Sequence, residues 1–575
     1  MCGIAAYFGK KEIPKINYLN SAKFLFSRGP DNTSFFFDKK KEFNTGLIHT
    51  RLSIIDLNQR ANQPFYFKNY VLIFNGEIYN YLELKNILIS KGYNFYTKSD
   101  TEVLLKSFDC WGKKAFSKFQ GMWSIIIYDK KKQKLIVSRD CFGEKPLFLF
   151  RSQYGFYLAS NIKALIALVG KKFNKNIEHL KRYMVNGYKS IYKTKQTFFK
   201  DIEEFPKNTV ASTDKNFLLN KSLIWKPNIN IKENIKYDEA VSNIRELLIN
   251  SVKIRTRSDV KLSYCLSGGV DSNSLIGIAK KKLNLKPHAF SIINSDPRFE
   301  ENQMINLAIK DQNLKCNKIY INKKNFLEKL KKQVLHAGRP IYTISYYLQN
   351  FLMKKISSKE IKVSLSGTGA DEIFTGYYDH YNLYAYQTRK NREYNENLLK
   401  FWSKNIKKYV RNPHLKDLKL YYKNKNFRDH IYFKNDLFSS FFHDEWQENF
   451  KEKFYTSDIL KNRMLNELFH ESVPVILSED DNNAMSYSIE NRSPYLDIPL
   501  LNYVLNLPSI FFMKNGIAKS LLRDAMKGIV NNKILFNPRK VGFNSPIDDN
   551  IDLKKNKDFL LDNDDIFKIV KSESA

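Results

Sequence analysis

One hexapeptide constrains this chain more than any other stretch: Ser267-Gly268-Gly269-Val270-Asp271-Ser272. It follows the apolar run Val260 to Leu266 and opens into a helix predicted over Asn273 to Lys280. A strand, a glycine turn and a helix N-terminus make a phosphate cradle, because glycine lets the backbone approach an anion and the first-turn N–H groups face its charge. Ser267 and Ser272 add hydroxyl donors. Asp271 repels phosphate unless the two share a divalent cation, so the combination points to a nucleotide with magnesium. A bare Gly-Gly pair is more often only a turn. The strand before it and the hydroxyls around it raise this one above that reading. It is not a Walker-type loop, since no Gly-Lys-Ser/Thr follows at that spacing.

The 575 residues exceed what one hydrophobic core organises, and with 43% hydrophobic and 14% aromatic residues two large cores can be filled. Residues 2–205 carry short alternating or apolar runs, such as Gly3 to Phe8, Tyr70 to Phe74 and Trp123 to Tyr128. The only clear helices there are Tyr18 to Phe26, Tyr81 to Lys91 and Thr101 to Trp111. That pattern predicts a sheet-rich α+β domain. Residues 206–236, with Pro206, Pro227 and many Asn and Lys, read as a connector. Residues 237–550 alternate helix and strand, which predicts a parallel, doubly wound α/β sheet with its ligand at the carboxyl ends of the strands. An aromatic, charged helical insertion is expected over about 374–469, and 551–575 is a polar tail.

The net charge of +36 invites a polyanionic partner, but the lysines are scattered along the whole chain among Asn and Ile, as solvated lysines are. Nucleic acid is therefore an unlikely partner. The five cysteines show no CxxC spacing, so neither a disulfide framework nor a zinc site is indicated. No apolar run approaches the ~20 residues of a membrane helix. The expectation is a cytoplasmic protein without membrane insertion.

Cys2 is the second centre. Removal of Met1 would leave a thiol and an α-amine on one residue, and an α-amine of pKa ~8 can serve as the thiol's own base. A lone cysteine is usually just a small buried hydrophobe. Here Arg28-Gly29-Pro30-Asp31, His49 to Asp56, Gln63-Pro64, Asn75 to Asn80, Ser99 to Glu102 and Arg139 to Leu147 follow in order. Together they resemble the N-terminal-nucleophile (Ntn) glutaminase domain of class II amidotransferases. The hexapeptide resembles the pyrophosphatase (PP) loop of enzymes that split ATP between its α and β phosphates. The whole chain, over nearly all of residues 2–550, resembles the glutamine-hydrolysing asparagine synthetases.

The resemblance implies a site for every step. Cys2 attacks glutamine; Arg51 and Asp100 take its α-carboxylate and α-ammonium, with Ile55 and Glu77 beside them; Asn75 and the Gly76 N–H hold the oxyanion. ATP is placed on Leu266, Ser267, Gly268, Gly269, Asp271, Ser272, Ile292, Ser366 and Gly367. Magnesium is placed on Asp271 and Asp371, with Lys519 on the pyrophosphate or adenylate and Arg523 and Lys540 in support. No prosthetic group is implied. The partners are glutamine, ATP and a carboxylate acceptor, aspartate by resemblance; a homodimer is allowed. Ammonia would pass between the sites along a dry internal route.

Two positions depart from the family pattern. Thr368 stands where a Glu that helps deprotonate ammonia is usual, and Asn482 where Arg is frequent. Threonine is no base at neutral pH, so another group acts or the acceptor differs, a uronic-acid sugar being the alternative. Competing readings are a tRNA-modifying enzyme on the same ATP loop and a non-catalytic scaffold. The complete glutaminase set opposes the first, and intact Cys2, Asp271 and Asp371 oppose the second.

Overall fold

The computed structural model describes residues 2–213, 217–294, 300–321 and 325–539. In the first half, the central strands are apolar on both faces because both faces are covered. Strand Gly3–Gly9 is buried throughout. By the period of two, Ile4, Ala6 and Phe8 enter one core while Ala5 and Tyr7 enter another.

The first of those cores lies between two six-stranded sheets, where Leu47 and Phe156 meet Val71, Ile73, Ile126 and Val137. The second lies under helices Lys15–Leu25 and Ile162–Val169. Helices Tyr81–Ile89 and Asp100–Trp111 cover the outer face of the other sheet through Leu84, Leu88, Val103 and Leu104. The result is a four-layer sandwich of helices, sheet, sheet and helices.

Two expectations for this half need correction. The segment read as a connector holds strands Thr209–Thr213 and Leu219–Leu223, which extend the second sheet beyond strand Lys134–Arg139. Lys207 and Asn208 just before the first strand, and the exposed Asn220 and Lys221 within the second, masked the pattern. Helices Ile162–Val169 and Ile177–Asn186 were also not anticipated. Their punctuation was present: Asn161 caps the first through the Lys163 and Ala164 N–H groups, and Gly170 ends it at φ 74°.

The second half holds a five-stranded parallel sheet. Its order is Lys315–Tyr320, His288–Ile293, Leu262–Cys265, Val363–Leu365 and Glu490–Arg492. Tyr264 pairs with Leu365, so the loops after both strands emerge side by side at the carboxyl edge. The helix after the first loop is Val270–Lys281, three residues longer at its start than expected, which puts Asp271 in its first turn.

The 374–469 insertion is helical only in part, because residues 445–456 have no regular structure. Trp446 instead docks on the first half, its Nε1 donating to Glu178 at 2.8 Å. Among the described residues no helix is long and apolar enough to cross a membrane. The 551–575 tail lies outside the described residues.

Candidate active sites and the wall between them

Strand ends gather the first site. Gly3 pairs with Thr50, which sets Cys2 beside Arg51 at the end of strand Asn44–Arg51. The Cys2 nitrogen lies 3.1 Å from Asn75 Oδ1. Asn75 Nδ2 is buried and, among the described residues, has no partner, so it is a donor available to an oxyanion. Gly76 has φ 150°, and a Cβ there would lie 2.0 Å from the Met122 carbonyl oxygen; only glycine fits. Burial pushes the Cys2 thiol up, and the Leu52 N–H and Arg51 oppose that shift.

Arg51 is buried and donates to the Asn58 carbonyl at 2.9 Å, Asn62 Oδ1 at 2.7 Å and the Ile55 carbonyl at 3.5 Å. Its fork is held by neutral oxygens, which leaves its charge for a carboxylate. Asp100 starts helix Asp100–Trp111, where its Oδ2 accepts the Ile78 N–H at 2.9 Å. Burial raises it to about 6, with the Ile78 hydrogen bond opposing the rise. If Asp100 must be ionised to hold the glutamine ammonium, kcat/KM for glutamine should fall as pH drops through about 6, while Asp100→Asn should flatten that limb.

The second site sits where the two loops touch. A Cβ on Gly367 would lie 3.0 Å from Asp271 Cβ, so the glycine lets the loops close on each other. Lys519 Nζ lies 2.7 Å from both oxygens of Asp271 and 2.7 Å from Asp371 Oδ1. These carboxylates hold the buried ammonium more firmly protonated, against the cost of its burial.

No side chain caps helix Val270–Lys281, so its first-turn N–H groups remain open to an anion. Two adjoining cavities meet here. One, of about 500 Å³, is lined by Leu266, Ser267, Ser272, Ile292, Ser366 and Gly367, together with both aspartates. The other, of about 240 Å³, is lined by Gly268, Gly269, Lys519 and Arg523. Every nucleotide residue expected from the sequence therefore faces one of these spaces, except Lys540, which lies outside the described residues.

The contacts that join the sites link residues remote in sequence, and no motif announces them. Arg28 donates to the Cys2 carbonyl at 3.2 Å and forks onto both oxygens of Asp481 at 2.7 and 3.0 Å. Asp481 belongs to helix Ser472–Met485 of the second half. Strand Glu490–Arg492 stands between the sites, and its period of two divides them. Arg492 faces Glu77 at 3.7 Å and pairs with Glu490 at 2.6 Å, while Asn491 turns the other way to Ser366 and Asp480, each at 3.1 Å.

Burial and the carboxylates of Glu490 and Asp100 hold Glu77 well above the usual carboxylate range. Phe142 stacks on Phe469 at 5.8 Å across the same boundary. The loop that carries Phe142 is folded by Asp140, which accepts the N–H groups of Phe142, Gly143 and Glu144. That motif builds the interface rather than either pocket. Removing one partner of a buried, forked ion pair costs about 3–5 kcal/mol. Asp481→Ala should lose stability on that scale in urea denaturation, and should hydrolyse more glutamine for each amide made.

A nucleophile pocket and an ATP-loop cavity joined through one buried wall define a glutamine-dependent ligase. Residues 1–222 match the glutamine amidotransferase domain family, and residues 243–567 match the asparagine synthase family. The chain belongs to the asparagine synthase family. It is 32% identical over 410 residues to putative asparagine synthetase (glutamine-hydrolyzing) 2 of Methanocaldococcus jannaschii, covering 67% of this chain and 77% of that protein. It is 29% identical over 590 residues to asparagine synthetase (glutamine-hydrolyzing) 1 of Bacillus subtilis, covering 95% and 87%.

Proposed function

We propose that the protein hydrolyses glutamine at Cys2 and uses the ammonia to amidate a carboxylate activated by ATP. The carrying observation is the convergence of Asp271 and Asp371, from two loops, on Lys519 at the sheet edge behind the Cys2 pocket. With Met1 removed, the Cys2 amine takes the thiol proton and the thiolate attacks the glutamine amide. Arg51 and Asp100 orient the substrate, and Asn75 and Gly76 receive the oxyanion. Water then clears the thioester as glutamate.

In the second half the open N–H groups of helix Val270–Lys281, with Ser267 and Ser272, receive phosphates. Two carboxylates gathered around one cation are a donor set that suits magnesium, so Asp271 and Asp371 would hold it. It would neutralise charge on the departing pyrophosphate. Lys519 adds a fixed cation to the same task. The acceptor oxygen attacks the α-phosphate, pyrophosphate leaves, and ammonia displaces AMP from the acyl-adenylate.

Aspartate is the acceptor supported by the relatives' names. A second reading, a neutral hydroxylated acid such as a uronic-acid sugar, is favoured by one observation. Among the described residues that line the larger cavity, Tyr188, Tyr346, Tyr377 and Thr368 are present and no Lys or Arg is. Among these described lining residues none offers an amino acid's α-carboxylate a lysine or arginine of its own, Lys519 being bound to Asp271 and Asp371. The test is to supply glutamine and magnesium-ATP with aspartate or a uronic-acid sugar nucleotide separately, and to measure AMP and pyrophosphate. Turnover with aspartate is the outcome of the first reading, turnover with the sugar alone that of the second, and ADP formation would contradict both.

A further inference from the structure

The attacking nitrogen of ammonia becomes a positively charged substituent when its C–N bond forms, and it must lose a proton before the amide is complete. A base within reach of that nitrogen is therefore required. Four carboxylates line the larger cavity among the described residues: Asp271, Glu301, Asp371 and Asp480. Asp271 and Asp371 are bound to Lys519. Glu301 lies over the phosphate loop, where it accepts the Gly268 N–H.

Asp480 differs from these three in position. It sits on helix Ser472–Met485, and its Oδ2 accepts Thr368 Oγ1 and Asn491 Nδ2, each at 3.1 Å. Gln349 Nε2 donates to its other oxygen. It thus occupies the face of the wall opposite Glu77, one residue along its helix from the Asp481 that grips Arg28. Asp480 is thus a cavity carboxylate that the wall strand itself holds, through Asn491.

Resting on the functional reading above, we propose that Asp480 is the base of amide formation. Ammonia's lone pair forms the C–N bond to the acyl carbon, and Asp480 takes one proton from that nitrogen. The C–O bond to AMP then breaks with its electron pair leaving on AMP. Asp480 afterwards returns its proton to solvent. The balance is acyl-adenylate plus ammonia giving amide, AMP and one proton.

The carboxylate is suited to this task. Burial lifts it to about 6, with hydrogen bonds from Gln349 and Thr368 opposing the rise, so it is ionised near neutrality yet still basic. Other groups facing it are Glu479, which raises it further, Lys145, which lowers it, and the neutral Tyr346 and Cys265. Thr368 in this arrangement is a hydrogen-bond donor that aims the carboxylate, and Asn491 does the same from the wall.

The test compares two rates with ammonium chloride as nitrogen source. One is amide formation; the other is acceptor-dependent exchange of pyrophosphate into ATP, which stops at the adenylate. The acceptor is aspartate, or UDP-glucuronate if aspartate is not turned over. Asp480→Asn should lower amide formation about a hundredfold or more and exchange far less. The unmodified protein should lose amide-forming kcat as pH falls through about 6, and the variant should lack that limb.

Adding Thr368→Glu to Asp480→Asn places a carboxylate beside the vacated position and should restore much of the rate. Undiminished amide formation in Asp480→Asn would overturn the proposal. So would a parallel fall of both rates with no recovery in the double variant, since that marks a merely structural residue. If the unmodified protein shows exchange with neither acceptor, the functional reading itself fails and the proposal falls with it.

Discussion

Cys2→Ala is expected to abolish glutamine-dependent amide synthesis, by at least about a thousandfold, and to leave synthesis from ammonium salt intact. The nucleophile is the one atom in the first site that no neighbour can replace. Asn75 offers an amide and Arg51 a guanidinium, and neither forms a thioester. The second site does not need the thiol, because its nucleotide loops, Lys519 and Asp480 all belong to the parallel-sheet half. Substitution by alanine also spares the Cys2 backbone contacts to Asn75 and Arg28, so the wall should remain in register. Assays of glutamate release and of amide formation from each nitrogen source decide the point.

Lys519→Met is expected to do the reverse. Its ammonium bridges Asp271 and Asp371, and both loops were brought to this point by adjacent strand ends. Methionine keeps much of the length and removes the charge, so two carboxylates face each other and the departing pyrophosphate loses its fixed cation. Removal of one preorganised electrostatic group of this kind costs about a hundred- to a thousandfold. AMP formation should fall by that factor with glutamine and with ammonium alike, while glutamate release persists. The two variants together separate the two halves by which nitrogen source each can still use.

Much of the candidate chemistry was legible because it lies in contiguous stretches. Ser267 to Ser272 needs only a strand before it and a helix after it, and Asn75-Gly76-Glu77 is carried by a single strand end. The joining contacts were not legible, because their partners are remote. Arg28 and Asp481 are 453 residues apart, and Thr368 and Asp480 are 112 apart. Strand Glu490–Arg492 escaped for another reason. It is wholly polar and fully buried, so no apolar alternation marks it; it forms by pairing with Val363–Leu365 and by matching Arg492 against Glu490 within the strand. Thr209–Thr213 was hidden by the Asn- and Lys-rich segment around it, although the sheet buries all five of its residues.

Activation of the carboxylate as its acyl-adenylate, in the cavity between the two loops, leaves an isotopic signature in the nucleotide product. The measurement is to supply the protein with glutamine, magnesium-ATP and the acceptor labelled with oxygen-18 in its reacting carboxylate, and to analyse the nucleotide product by mass spectrometry. One labelled oxygen should appear in AMP for each amide formed, with unlabelled pyrophosphate. Label in inorganic phosphate, with ADP as the nucleotide product, would contradict acyl-adenylate formation.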